Sequence, residues 1–242
     1  MEIEGIVIRI TPYKEKDAMV NVLTKDGIMA FLARGVLSID SKNAASVTQY
    51  AYSRFEFNDA KDKSLSLKNG TLIKGYNEAF KSLDKLAALS FIGELTLKAT
   101  GEEDASGIYE YALQCLEAIE SGFDVLTIVL VYYAQVLKVS GYGLEVQHCV
   151  FCGETKGIVT VSYPDGGFVC QNCFDPTSMK ARDARYLKII RYLLMVGPDE
   201  IKRVAFSQEE ALVILDEFTI YASDQLGVNL KSYGLLINSL KK

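Results

Sequence analysis

The 242-residue sequence has no tryptophan, four prolines and a single histidine, His148. With one histidine, a nucleophilic triad built around imidazole is not expected. No low-complexity run and no internal repeat is present. There is no excess of positive charge either: 26 Lys/Arg stand against 31 Asp/Glu, a net charge of −5. Nucleic-acid-binding proteins usually present a net basic surface, so the average speaks mildly against that class. The longest apolar run, Val125 to Ala134, is broken only by Thr127. It falls short of the roughly 20 residues that span a bilayer and reads as a buried helix. The opening MEIEGIVIRI is acidic and lacks the basic-then-apolar order of a signal peptide. A soluble, cytosolic protein with no membrane partner is expected.

What is present is unevenly placed. Residues 1–80 carry a net charge of +1 and the remainder −6, so the N-terminal part is the better candidate for meeting a polyanion. That part reads as β. Ile3, Ile6, Ile8 and Ile10 mark a first strand; Val20–Thr24 and Ile28–Ala33 flank Asp26-Gly27, a hairpin signal. Val47–Phe57 follows, and Asn69-Gly70 signals a second hairpin between Leu65–Lys68 and Thr71–Gly75. Short strands in about 75 residues suggest a small closed barrel, most often an OB-fold, though an SH3-like barrel gives a similar pattern.

From Asn77 the period changes. Phe80, Leu83, Ala87, Phe91 and Leu95 recur at helical spacing, and residues 106–120, 181–195 and 208–226 read as further helices. Phe123–Val139 is apolar nearly all round and belongs at the centre of a bundle. Ser207 with Glu210 fits a capping box. The expected architecture is multidomain α+β. An OB-fold β-barrel over 1–76 precedes an α-helical bundle over 77–242, with a zinc-ribbon-like four-cysteine insertion over 147–175.

In that insertion Cys149-x2-Cys152 and Cys170-x2-Cys173 are separated by seventeen residues. Each C-x2-C turn places two thiolates on one side of a knuckle, and two knuckles give the tetrahedral four-sulfur set that zinc prefers. Ile158–Ser162, a turn at Pro164–Gly167 and Phe168-Val169 form the hairpin that joins them. A positive φ at Gly153 relieves the first knuckle. Four protein ligands leave no open coordination position, so one structural Zn2+ per chain is expected, without water activation. Two disulfides, a redox C-x-x-C or an iron–sulfur cluster use the same residues. His148 could replace a thiolate, and Cys115 reads as a buried apolar residue.

Four stretches together resemble the bacterial recombination mediator family RecO. They are GIVIRITPYKEKDAMVNVLTKDGIMAF at 5–31, Ala33-Arg34-Gly35-Val36, LKVSGYGLEVQHCVFCG at 137–153 and LGVNLKSYGLL at 226–236. The resemblance implies a non-enzymatic, cytoplasmic, nucleoid-associated bacterial protein of DNA repair. It implies binding of single- and double-stranded DNA and annealing of complementary strands. It also implies partnership with RecR and with the C-terminal tail of single-stranded-DNA-binding protein, and through these the loading of RecA. One departure stands out. The segment after Arg34, often strongly basic in the family, here reads GVLSIDSKNAAS with Lys42 as its one cation.

OB barrels bind nucleic acid with a cationic groove and aromatic platforms. The candidate cations are Arg9, Lys14, Lys16, Arg34, Lys42 and Arg54. Tyr50 and Tyr52 share the face of Arg54 and are the candidate stacking residues, whereas Phe55 and Phe57 face the core with Ala51. Arg185, Lys188 and Arg191, at successive i, i+3 steps, are expected to form a second basic stripe. Two other readings remain: a zinc-ribbon adaptor acting mainly through protein partners, and a thiol redox enzyme.

Overall fold

A computed structural model describes residues 1–58, 65–101, 104–203 and 206–240. The N-terminal part is a five-stranded antiparallel sheet: β1 (Glu2–Tyr13), β2 (Asp17–Thr24), β3 (Gly27–Ala33), β4 (Tyr52–Phe57) and β5 (Leu67–Lys74). The strands lie in the order β3-β2-β1-β4-β5. Alternation sets the register: Val7, Val20, Val22, Phe31, Phe55 and Phe57 turn to one concave face and close it with their side chains. The Phe31 ring centre lies 5.1 Å from that of Phe55, tilted, and 5.0 Å from that of Phe57, edge to face.

The expected closed barrel is corrected to a curled OB-like sheet, open along most of its seam. Among the described residues, β3 meets the chain entering β5 through one parallel bridge, Leu32–Ser66, where Leu32 N–H donates to Leu65 O at 3.0 Å. The Asn69-Gly70 hairpin is also corrected. β5 runs straight through both residues, with Gly70 opposite Phe55. Gly70 is a glycine for want of room, because a Cβ there would collide with the side chain of Ser46. Residues 59–64, which join β4 to β5, lie outside the described residues.

Helices follow: α1 (Leu83–Ala99), α2 (Tyr109–Glu120), α3 (Val125–Leu137), α4 (Ala184–Met195), α5 (Gln208–Leu226) and α6 (Ser232–Leu240). Every residue of α3 is buried, as its all-round apolar sequence requires. Asp124 caps it by accepting Thr127 N–H at 2.7 Å. Each Leu, Ile or Val so enclosed contributes about 1.5–3 kcal/mol. By length and hydropathy Val125–Tyr142 would pass for a membrane span, yet 72% of that window is buried inside the protein. Ser207 and Glu210 form the expected capping box at the start of α5. The last helix, α6, has no counterpart in the sequence reading.

Sheet and helices share one core. Ile6, Ile8 and Leu23, on the convex face of the sheet, pack in the same apolar cluster as Leu89, Phe91 and Leu95 of α1. Contact is closest at Gly93, where a Cβ would sit 3.2 Å from the Ile8 carbonyl and 3.4 Å from the Tyr50 ring. Lys74 and Tyr76 donate to the Glu117 carboxylate of α2 at 2.5 and 3.2 Å, adding a polar latch. The cysteine segment lies between α3 and α4 and contains β6 (Ile158–Ser162) and β7 (Gly167–Cys170).

Candidate metal centre and nucleic-acid interface

Two knuckles and a hairpin build the cysteine cluster. Gly153 N–H donates to Cys149 O at 2.9 Å and Cys173 N–H to Cys170 O at 3.1 Å, each closing a tight C-x2-C turn. Gly153 takes a φ of +77°, the conformation expected of it. Val150 N–H donates to Phe168 O at 2.9 Å and ties the first knuckle to β7. The result gathers all four thiol sulfurs within 4.8 Å of one another, with Cys152 and Cys170 Sγ 3.6 Å apart. A tetrahedral zinc site with bonds of about 2.3 Å places its sulfurs about 3.8 Å apart, so the cluster has the size and donor set of a metal centre. Cys149 and Cys170 are buried, while Cys152 is exposed. Burial opposes ionisation of Cys149, but backbone N–H groups of Cys170, Phe151 and Cys152 outweigh it and bring the thiol down to about 6.

His148 is not part of the cluster: its Nδ1 lies 3.0 Å from Glu145 Oε1. Cys115 is fully buried in the helical core, and burial pushes its thiol well up, which keeps it neutral and unreactive. The cysteine segment is fastened to the bundle by polar contacts. Arg191 Nε donates to Val146 O at 2.8 Å, with its guanidinium 5.2 Å from the Phe168 ring centre. Tyr163, in the hairpin turn, donates to Glu217 of α5 at 3.1 Å, and Glu217 also accepts from Arg182 and Tyr186.

The convex sheet face that α1 leaves uncovered carries the second feature. Register places Arg9 beside Asn21 and Asn21 beside Ala30; in the next row Thr11, Met19 and Leu32 align; Tyr13 pairs with Asp17. Arg34 follows directly on the end of β3, in the turn that starts there. Asp17 Oδ1 accepts Gly35 N–H at 2.8 Å, and Leu37 N–H donates to Lys16 O at 2.9 Å. These bonds hold the loop of Lys14 and Lys16 against the turn of Arg34. Arg9, Lys14, Lys16 and Arg34 are all exposed, and among the described residues none has a salt-bridge partner within 4.0 Å. Tyr13 is 48% exposed, with Lys14 Nζ 5.4 Å from its ring centre. Tyr13 belongs to the 5–31 stretch but is not among the stacking candidates, Tyr50 and Tyr52, that the sequence offers. Its outward alternation with Arg9 and Thr11 was the available signal.

Other candidates fall elsewhere. Tyr50 is corrected: it is 4% exposed, wedged between sheet and α1, and offers no face to a base. It is not in a strand at all but in a turn with φ +65°. Tyr52 is half-buried and donates to Glu4 Oε2 at 2.6 Å. Arg54 is held by Glu4 at 2.7 Å and Glu2 at 3.2 Å, so its charge is matched by its own strand neighbours. Lys42 is exposed but sits at the far end of its loop, beside Asn43, which accepts Gly70 N–H of β5. The α4 stripe is corrected as well. Arg185 is clamped by Glu210 and Arg191 is bound to Val146, leaving Lys188 as the member with no partner among the described residues. The Arg185 contact leads the causes that bring the Glu210 carboxyl down to about 2.

Comparison with known proteins decides the family. The family model described as Recombination protein O N terminal matches residues 1–76, and that described as Recombination protein O C terminal matches residues 81–234. The chain belongs to the recombination protein O family. It is similar to the DNA repair protein RecO of Bacillus pumilus, 29% identical over 99% of this chain and 95% of that protein. It is also similar to the DNA repair protein RecO of Listeria innocua, at 28%, and of Bacillus velezensis, at 29%. Each of those matches covers 95% of this chain and 91% of the relative. The family places the chain among DNA repair and recombination proteins, and the four cysteines could hold a metal ion within it.

Proposed function

We propose that this protein binds DNA on the open convex face of β1–β3 and anneals complementary strands. In this reading it acts with RecR and with the tail of single-stranded-DNA-binding protein to help load RecA. The observation that carries the reading is the corner where Lys14, Lys16 and Arg34 are drawn together beside Tyr13. Four cations, counting Arg9, stand there against Glu15 and Asp17, and Asp17 is engaged with Gly35. Phosphates meet the cations, and an unstacked base meets the Tyr13 ring, worth about 1–3 kcal/mol per base. Residues 1–76 would then supply the nucleic-acid surface and 77–242 the partner surfaces.

Cys149, Cys152, Cys170 and Cys173 would hold one zinc ion. When bound, the ion cross-links two knuckles and stabilises the hairpin. The chain's own residues transmit that order to the bundle through Tyr163, Glu217 and Arg191. Four thiolates fill the coordination sphere, so this metal would be structural and the protein no catalyst.

The test is annealing of complementary oligonucleotides coated with single-stranded-DNA-binding protein, at low salt. Accelerated annealing is expected. Neither binding nor annealing would favour the second reading, an adaptor that works through protein partners. The pairing of Arg54 and Arg185 with carboxylates favours that reading.

A further inference from the structure

Beyond the corner at Tyr13, the cationic surface has a second part. Between β1 and α1 lies a groove of about 300 Å³, walled by Ile8 and Arg9 on one side and Gly93, Leu97 and Lys98 on the other, with Lys231 at its rim. Its floor is the close approach at Gly93, so the groove is shallow. Arg9 belongs to it and to the open sheet face at once. The groove thus continues the proposed DNA surface without a break.

The charges in the groove are lopsided in a chain whose total is −5. Three cations line it against one carboxylate, Glu94. That carboxylate is already used. It lies 2.7 Å from Lys98 Nζ and accepts the backbone N–H groups of Lys231 and Ser232 at 3.1 and 2.7 Å, fastening the start of α6 to α1. Burial opposes its charge, yet these partners bring its carboxyl down to about 2. Lys98 is committed too, donating to Asn229 O at 2.6 Å. Arg9 and Lys231 have exposed side chains with no salt-bridge partner among the described residues. Both line the groove as positive charges unmatched by a carboxylate among the described residues.

We propose that a single DNA strand lying on the β1–β3 face runs on into this groove, where Arg9 and Lys231 hold its phosphates. The proposal rests on the reading of the sheet face as a DNA surface. A single strand suits the groove better than a duplex. Duplex DNA has a persistence length of about 150 base pairs and does not bend into a shallow cleft only a few residues long, whereas a flexible strand follows it. Leu97 offers apolar contact along the way. The path leads over α1 and not to the α4 stripe, whose outer arginines are bound within the fold.

The experiment titrates fluorescent oligothymidylates with the full chain over a salt series. Strand lengths begin within the range of about 4–16 nucleotides that one OB-type unit covers, and extend beyond it. The proteins are wild type, Lys231→Glu, Lys231→Gln and the triple charge reversal at Lys14, Lys16 and Arg34. Wild-type affinity is expected to rise as the strand outgrows the sheet face. In Lys231→Glu that length-dependent gain should fall by roughly tenfold and the salt slope should drop by about 0.7, with Lys231→Gln between. Melting temperature and metal content identify any variant that misfolds, and Lys231→Gln, which keeps the backbone bond to Glu94, carries the test if Lys231→Glu does. Wild-type length dependence and slope in both Lys231 variants would overturn the groove path while leaving the sheet face intact. Absence of any effect from the triple reversal would instead overturn the sheet-face reading beneath it.

Discussion

The carboxylate of Asp17 and the backbone N–H of Gly35 are joined at 2.8 Å, across eighteen residues of sequence. This bond fixes the turn after β3 against the loop after β1. Removing it in Asp17→Ala frees a hydrogen bond to a charged group, worth about 1.5–3 kcal/mol. Because the corner is exposed, most of that loss should appear as loop mobility. Single-strand affinity should fall about three- to tenfold while the melting temperature changes little; fluorescence titration and thermal unfolding check both.

The triple reversal Lys14→Glu, Lys16→Glu, Arg34→Glu should act through phosphates. Each lost contact lowers the slope of log affinity against log salt by about 0.7, so a drop of about 2 is expected. Metal content should stay at the wild-type value, because the cysteine cluster is built on the hairpin of β6 and β7 and none of the three residues bonds to it. Salt-dependent titration with parallel metal analysis measures both quantities.

Cys170→Ser takes away one buried sulfur of the cluster. The variant should retain less than one zinc per chain and lose about 3 kcal/mol, or roughly 6–12 °C of melting temperature for a chain of this size. Full metal occupancy with unchanged melting would contradict a four-sulfur site.

Glu94 gives a pH signature. Its folded carboxyl lies near 2, below its ordinary value of 4.5. A depressed folded value means stability that is present above about 4.5 and lost as the pH falls toward 2. Wild type should therefore lose up to about 3 kcal/mol over that window relative to Glu94→Gln, which should show a flatter profile. Denaturant melts of both proteins, stripped of metal so that thiol protonation does not intrude, make the comparison.

Local signals in the sequence were read well where local chemistry decides the outcome. Asp26-Gly27 does turn a hairpin, Ser207 does cap α5, and the two C-x2-C knuckles do meet, because each is set within a few residues. Asn69-Gly70 misled for the opposite reason. It carries the composition of a turn, but the side chain of Ser46, far away in sequence, demands a glycine inside a strand. Tyr50 differs for a similar reason: β4 starts only at Tyr52, and what encloses the Tyr50 ring is Gly93 of α1, a contact that no local pattern encodes. The α4 stripe was legible as a stripe. That Glu210 and Val146 would occupy its outer members depends on tertiary placement. α6 escaped because Gly234 and an uneven apolar pattern blur its period, and Glu94 of α1 anchors its start.

The convex face of the sheet is apolar where the helices cover it. Ile6, Ile8, Leu23 and Tyr76 are as deeply enclosed as residues of the bundle itself. A fragment ending near residue 76 would bare that oily patch to water, and should be sticky and poorly soluble even with every strand intact. The two halves matched by the family models share one apolar cluster across this face. Between the sheet and α1 the chain runs only from Gly75 to Ser82, with a single turn of 3-10 helix at Glu78–Lys81, so the apolar face and its cover are neighbours in sequence as well as in space.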